Sequence, residues 1–325
     1  MRNSVVWALV VVLLLGGVGL VASAKQITIG VACQSMTSSP TRITNAMIAK
    51  GEAEGWKILT FDGNGDQQRV NDAAMTWIAS GVDAVYILFP PEASLGQLIA
   101  AAAQANVPLI TTGYGFGKGQ TFDVGMNDFE GSAIITSYLF DRLGRTGNIV
   151  VMHWDVVPVP RQRKAILDAM LSETPGISVV EDHFAVLPGH VEDCRRAMES
   201  YLIAHPQPGA IQAVWGAWDE LTLGAVQAIE AAGRTDIFGV GIDGNLWTFD
   251  LIRGGSPFVA TIAPDWEQCA TIVVSELKQN LLNGAPPSQP QFYIDIPLVT
   301  IANCPPAGWY YGEWVAAGMP NTPKP

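Results

Sequence analysis

The sequence is short of the side chains that do chemistry. Of its 325 residues, four are histidine and four are cysteine. His153, His183, His190 and His205 contain no i, i+4 pair and no H-E-x-x-H, so they indicate no zinc site. Cys33, Cys194, Cys269 and Cys304 contain no C-x-x-C, which argues against a zinc or thioredoxin-type centre. In an oxidising compartment they leave one or two disulfides open, with no pairing assigned. No G-x-S-x-G elbow is present. The glycine-rich stretch "GYGFGKGQ" (113–120) has no Ser or Thr after Lys118, so it fails as a phosphate loop. The reading is a protein that is not an enzyme and carries no metal or cofactor. Loop carboxylates such as Asp155 and Asp243 keep a secreted glycoside-processing enzyme as a remote alternative.

Positive charge is scarce too. Eighteen Lys and Arg stand against thirty Asp and Glu, a net charge of −12. Such a chain is a poor partner for nucleic acid or an anionic membrane.

Long apolar runs are absent except at the start. Arg2 precedes an apolar stretch from Val5 to Val21, and Ala22 and Ala24 follow in an A-x-A pattern. This is the build of a cleavable secretory signal over residues 1–24. The alternative is an uncleaved anchor, since the run is about long enough to span a bilayer. Cys33 lies too far beyond the run to be its lipid-bearing residue. The mature protein is therefore expected to be periplasmic, and its length suits two domains of ordinary size.

What the sequence has in quantity is alternation. "QITIGVAC" (26–33), "WKILTFD" (56–62), "DAVYILF" (83–89) and "PLITTG" (108–113) are short apolar strands. Helical spacing separates them at 42–55, 67–81 and 94–107. The rhythm restarts with strands at 147–154, 177–184, 210–216 and 237–244, and helices at 161–171, 191–205 and 220–233. Strands apolar on both faces, alternating with amphipathic helices, predict parallel sheets covered on both sides. The C-terminal portion of the chain favours two such arrays over one eight-fold barrel. There a strand (258–266), a helix (266–283) and a long extended segment (290–304) suit crossings between domains better than a ninth unit.

In open α/β sheets ligands bind outside the carboxyl ends of the strands. If the two arrays face each other, the site lies between them, on loops 34–41, 89–93, 113–117, 153–161, 183–190, 216–219, 243–247 and 263–266. These loops are rich in rings. Tyr114, Trp154, Trp218 and Trp266 offer flat contact area for a sugar face, a planar group or a cation. Gln34, Thr41, Arg163 and Asp243 offer polar partners. Trp218 stands on a tight turn, "WGAWDE", where a small residue is usual, so it is read as a cleft wall. Trp215 is read as core, and Asp219 as a cap of the next helix. Arg161 and Arg163 open a helix against its dipole, so at least one needs an anionic partner.

Several stretches resemble the type I periplasmic solute-binding proteins of sugar-type ABC transporters, most of all the ribose-binding group. They are "ITIGVACQSMTSSPT", "GVDAVYILFPPEASLGQLIAAAAQANVPLITTG", "AVWGAWDELTLGAVQAIEAAG", "GVGIDGN" and "PFVATIAPDWEQCA". The resemblance implies two Rossmann-like domains with parallel sheets, joined by a three-strand hinge, closing on a ligand in the cleft between them. It implies lobes of residues 25–126 plus 264–294 and 127–263 plus 295–325. The crossings then fall near Met126–Asp128, Ala263–Pro264 and Ile294–Pro297. By the same resemblance Asp243 and Arg163 stand at ligand positions, and Thr41 where an aromatic often follows the proline. The implied protein is a monomer that hands a small carbohydrate-like molecule to a membrane permease. This chain departs from the pattern at Gly113, where an aspartate is usual, at Trp218, where an asparagine is, and at Pro264, where a glutamine is. Fewer hydrogen-bonding groups and more rings predict a ligand with a larger apolar or planar face, or an amine, polyol or nucleoside, for import or for a sensor.

Overall fold

The computed structural model describes residues 26–117 and 119–319. The expected signal segment, residues 1–24, lies outside the described residues. Among those that are described, no helix is long and apolar enough to cross a membrane.

The chain runs β1 (Thr28–Cys33), α1 (Ser38–Ala53), β2 (Lys57–Asp62), α2 (Gln67–Ala79), β3 (Ala84–Leu88), α3 (Gly96–Ala105), β4 (Leu109–Thr112) and β5 (Phe122–Gly125). It continues α4 (Asp128–Arg142), β6 (Gly147–His153), α5 (Pro158–Ser172), β7 (Ile177–Phe184), α6 (His190–Ala204), β8 (Ala213–Gly216), α7 (Asp219–Ala231), β9 (Phe238–Ile242), α8 (Leu246–Arg253) and β10 (Phe258–Ile262). It ends with α9 (Trp266–Asn283), β11 (Gln291–Tyr293), β12 (Leu298–Thr300) and α10 (Tyr311–Ala316).

Two six-stranded sheets result, in the orders β11-β5-β4-β3-β1-β2 and β12-β10-β9-β8-β6-β7. The two α/β arrays expected from the sequence are thus present. Every paired strand is parallel to its neighbour except β12, which runs antiparallel to β10. The exception stems from connectivity. β12 is reached directly from β11 of the other sheet, without the crossover helix that a parallel return needs.

Burial explains which segments read clearly. β3 is buried along its whole length, as an inner parallel strand between helical layers should be. The edge strands β2 and β7 are half exposed and carry Lys57, Asp62, Glu181, Asp182 and His183. Local chemistry sets the helix starts. Asp66 accepts from the amides of Gln68 and Arg69 to begin α2, Asn127 accepts from Glu130 to begin α4, and Asp265 accepts from Gln268 to begin α9. Pro158 occupies the first turn of α5, where its missing N–H costs nothing.

Three features differ from expectation. α1 begins at Ser38, four residues earlier than the spacing suggested. The extended segment 290–304 divides into two short strands that serve different sheets. All four cysteines are free, and three of them are buried. Burial pushes the Cys33 and Cys194 thiols up to about 12, which leaves them protonated and inert at neutral pH.

Candidate functional site between the two sheets

The carboxyl ends of β1 and β3 in the first sheet meet those of β6, β8 and β9 in the second around a cavity of about 150 Å³. A void of about that size, lined with apolar side chains, holds a single six-membered ring. The first lobe supplies Cys33, Gln34, Ser35, Thr37, Ser39, Pro40, Gly65, Phe89 and Trp266. The second supplies Trp154, Val157, Val159, Pro160, Arg163, Leu187, Trp218 and Asp243. Six of the eight residues expected at the site therefore line it together: Gln34, Trp154, Arg163, Trp218, Asp243 and Trp266.

Thr41 and Tyr114 do not line it. Because α1 starts at Ser38, Thr41 lies in its first turn. At roughly 100° per residue, a helix that turns Ser39 and Pro40 to the cavity carries the next residue away from it. Thr41 is exposed, and its hydroxyl donates to Met36 O at 3.2 Å. Tyr114 is turned inward by Gly113, whose φ of +70° suits glycine. Its ring joins the core on one face of the first sheet, its hydroxyl donates to Glu92 O at 2.7 Å, and its amide donates to Asp123 Oδ2. A Cβ on Gly113 would meet Val159 Cγ2 at 2.5 Å and the Phe89 ring at 3.0 Å. Apolar side chains have taken the space an aspartate would need here.

The polar end of the cavity is built in the second lobe. Asp243 follows β9 with φ at +146°, an unusual conformation for a residue with a Cβ. Its amide donates to Ile262 O at 2.8 Å. The turn is tied down by Asp219, fully buried at the start of α7. Asp219 accepts from the hydroxyls of Thr248 and Thr261, each at 2.7 Å, and from the amide of Asn245 at 3.4 Å. Asp219 is thus a buried tie, not the expected cap; Trp218 holds the cap position in extended conformation. The large ring on the turn has a packing role as well. Trp218 packs edge-on to Trp154, with centroids 6.5 Å apart, and against His190 at 5.7 Å. Across the cavity Trp266 meets Phe89 edge-on at 5.6 Å. Trp215 is fully buried, and its indole N–H donates to Thr136 Oγ1.

Arg163 lies at the cavity wall, and each of its three nitrogens contacts protein, which occupies three of the five N–H donors of the guanidinium. Nε donates to Asp128 Oδ1 at 2.8 Å, one terminal nitrogen to Ala217 O at 2.8 Å, and the other faces Met126 Sδ at 3.2 Å. It reaches Asp243 only at 4.0 Å. Burial, opposed by Arg163, raises the Asp128 carboxyl to about 6. Burial raises Asp219 to about 6 against the hydrogen bonds that hold it. Asp243 lies well above the usual carboxylate range. Burial is the main cause, Arg163 opposes it, and Asp219 and Glu220 add to it.

Among the described residues, three side-chain ties span the cleft away from the crossings. The Arg42 guanidinium in α1 donates to the carbonyls of Asp243 and Gly244, pairs with Glu267, and lies 3.8 Å from the centroid of the Tyr310 ring. Glu220 accepts from the hydroxyl of Ser38 on one oxygen and bonds His190 Nε2 at 2.6 Å on the other. Arg161 pairs with Glu92 at 2.5 Å. The contributors that sequence reasoning passed over include the hydroxyls of Thr37 and Ser39 and a set of aliphatic side chains. Val157, Val159, Pro160 and Leu187 stand on loops expected to matter, but rings and polar groups drew the attention.

A two-lobed α/β molecule with a cavity between its sheets is a ligand-binding architecture of the periplasmic type. The family model described as periplasmic binding protein domain matches residues 29–285, and the chain belongs to that family. It is 27% identical over 239 residues to a xylitol-binding protein of Mycolicibacterium smegmatis, covering 72% of this chain and 66% of that one. It is 27% identical over 271 residues to a ribose import binding protein of Bacillus subtilis, covering 80% and 83%. Its fold matches, at a TM-score of 0.80 and 24% identity, an ABC transporter solute-binding protein from Agrobacterium vitis with bound allitol, covering 87% of this chain and 98% of that chain.

Proposed function

We propose that this protein is the extracytoplasmic substrate-binding component of an ABC importer, and that it holds a small carbohydrate-like ligand in the cavity between its lobes. One observation carries the reading. A ring-walled cavity sized for one small molecule lies at the carboxyl ends of both sheets and takes its wall from both lobes. A ligand there touches both walls only when the lobes are together, so binding favours closure. Residues 25–126 with 264–294 and residues 127–263 with 295–325 act as the two bodies, bending at 126–128, 263–264 and 294–297. The opposite sheet membership of β11 and β12 supports this division. Gln34, Trp154, Arg163, Trp218, Asp243 and Trp266 are the site. Export through residues 1–24 places the protein outside the cytoplasm, where the closed form meets a permease.

Binding is favoured over turnover because Asp243 is the one carboxylate on the cavity wall among the described residues, whereas glycoside hydrolysis uses a pair. Titration of the mature protein with pentoses, hexoses and polyols, followed by tryptophan fluorescence and small-angle scattering, tests the reading. A saturable spectral change with a smaller radius of gyration is expected. A compound that binds without compaction, or that is recovered chemically altered, refutes it.

A further inference from the structure

The cavity wall has a carboxyl group without a hydrogen-bonded cation and a donor without a partner. Four carboxylates gather at its second-lobe end, and three have close partners. Asp128 takes the Arg163 Nε–H, Glu220 is bonded to His190 and Ser38, and Asp219 accepts from two threonine hydroxyls and a backbone amide. Asp243 does not share in this. It is 6% exposed, and among the described residues its ion-pair contact is Arg163 at 4.0 Å, beyond hydrogen-bond reach, while the hydrogen bonds that guanidinium makes go to Asp128, Ala217 and Met126. Arg42, the other nearby cation, uses Asp243's carbonyl and not its carboxylate, and is neutralised by Glu267. On the opposite wall, Trp266 is 1% exposed and its indole N–H has no partner among the described residues. The Ser39 hydroxyl lies beside the Asp243 carboxyl without closing a hydrogen bond of normal geometry.

A buried carboxylate without a hydrogen-bonding cation is costly, and rings around it form a favourable environment for a cation. An unpartnered indole N–H asks for an oxygen. We propose that the ligand carries an ammonium group beside hydroxyls, the chemistry of an amino sugar or amino polyol. The ammonium meets the Asp243 carboxylate among Trp154 and Trp218, and a hydroxyl oxygen accepts from Trp266. This rests on the small-molecule-binding reading above and narrows its ligand class. It fits the loss of hydroxyl-binding capacity at Gly113, where Val159 and Phe89 fill the space.

Calorimetric titration of the mature protein with matched pairs tests it: glucosamine against glucose, galactosamine against galactose, and serinol against glycerol. The amine of at least one pair is expected to bind about 100-fold tighter than its neutral partner, the scale of a desolvated charge-assisted contact. Its affinity should rise from about pH 5 to about pH 7, because the contact needs Asp243 ionised while the amine is still protonated, and Arg163, Asp219 and Glu220 set how readily Asp243 ionises. Asp243→Asn should abolish the preference, and Trp266→Phe, which keeps a ring but loses the N–H, should weaken the amine about tenfold. Thermal melts establish that each variant is folded, and Trp266→Phe still decides if Asp243→Asn is not. A neutral member binding as tightly as its amine overturns the inference and leaves the importer reading standing. No binding in either arm overturns both.

Discussion

The two walls of the cavity are made of different materials. The first lobe brings hydroxyls and short side chains on the loop after β1 and the first turn of α1, with Phe89 and Trp266 behind them. The second brings a buried carboxyl group, Asp243, an arginine braced against Asp128 and Ala217, and two tryptophans standing edge to face. The second wall is also the better braced. Asp219 pins the Asp243 turn and Arg163 spans from α5 to α4 and the end of β8. The first wall is held mainly by its own helix and strand. The difference implies an order of events. On the proposed reading, ligand would first meet a prebuilt polar pocket on the second lobe, and the first lobe would then cover it with donors and apolar surface.

The largest expected effect breaks the brace itself. Arg163→Met leaves Asp128 buried without its cation. Removing one partner of a buried pair costs about 3–5 kcal/mol. The thermal midpoint of the protein should fall sharply, and Asp128→Leu added to Arg163→Met should recover most of the loss. If the single variant melts like the parent, Arg163 is not the keystone of the second wall. Recovery also separates structure from recognition, since the double variant retains Asp243.

A second effect comes from the buried carboxyls. Asp128 and Asp219 titrate near 6 in the folded protein, above the unfolded value of about 3.9. A raised folded value means that the native state holds protons the unfolded chain has released. The stability they contribute is present at acid pH and is lost as pH rises through about 6. Asp236, lowered to about 2 by Arg234, works oppositely and loses its contribution as pH falls below the usual carboxylate range. The melting temperature should therefore peak near about pH 4, decline as pH rises from about 4 to about 6, and level off toward neutrality. Asp219→Asn should flatten that decline. A curve still rising from pH 5 to pH 8 would contradict the environments assigned to these two groups.

How much of this was legible beforehand depends on which physics wrote it. The succession of strands and helices could be read from apolar runs, because inner parallel strands such as β3 are buried on both faces and leave an unbroken signal. The short β11 and β12 could not, because three-residue strands are fixed by pairing with distant neighbours. The same split holds at the site. Asp243 and Trp218 stood out since a charge at a strand end and a ring on a turn are locally anomalous. Thr41 and Tyr114 also stood on the right loops, but a helix start and a glycine with positive φ decided their direction. Val159 was invisible in that role, since a valine in a proline-rich stretch carries no mark of what it will touch.

A smaller effect sharpens the comparison at the one place where the walls compete for space. Gly113→Asp puts an acceptor into the first wall but drives its Cβ toward Val159 and Phe89 from a φ of +70°. Strain of this kind costs about 1–3 kcal/mol. The variant should melt lower and bind worse. Adding Val159→Ala removes the nearest clash and should restore part of the stability, while shifting preference toward more heavily hydroxylated compounds. If Gly113→Asp alone improves binding of a neutral sugar, the apolar filling is not what sets specificity.

The smallest effect belongs to the most exposed of the three ties. Arg161 and Glu92 approach to 2.5 Å across the cleft, yet their side chains are 43% and 53% exposed. Water and salt screen such a pair, and holding two long side chains in one geometry costs entropy, so exposed pairs contribute about 0–1 kcal/mol. Arg161→Ala should leave the melting temperature nearly unchanged and alter ligand affinity less than about fivefold, an effect that disappears in high salt. The Ser38–Glu220–His190 tie is better shielded, with Glu220 14% and His190 12% exposed, and it abuts Trp218. Glu220→Gln should therefore weaken closure more than Arg161→Ala does, measured as compaction by scattering at saturating ligand. Equal effects would mean that the lobes are held by the ligand and the two walls alone, with neither tie contributing.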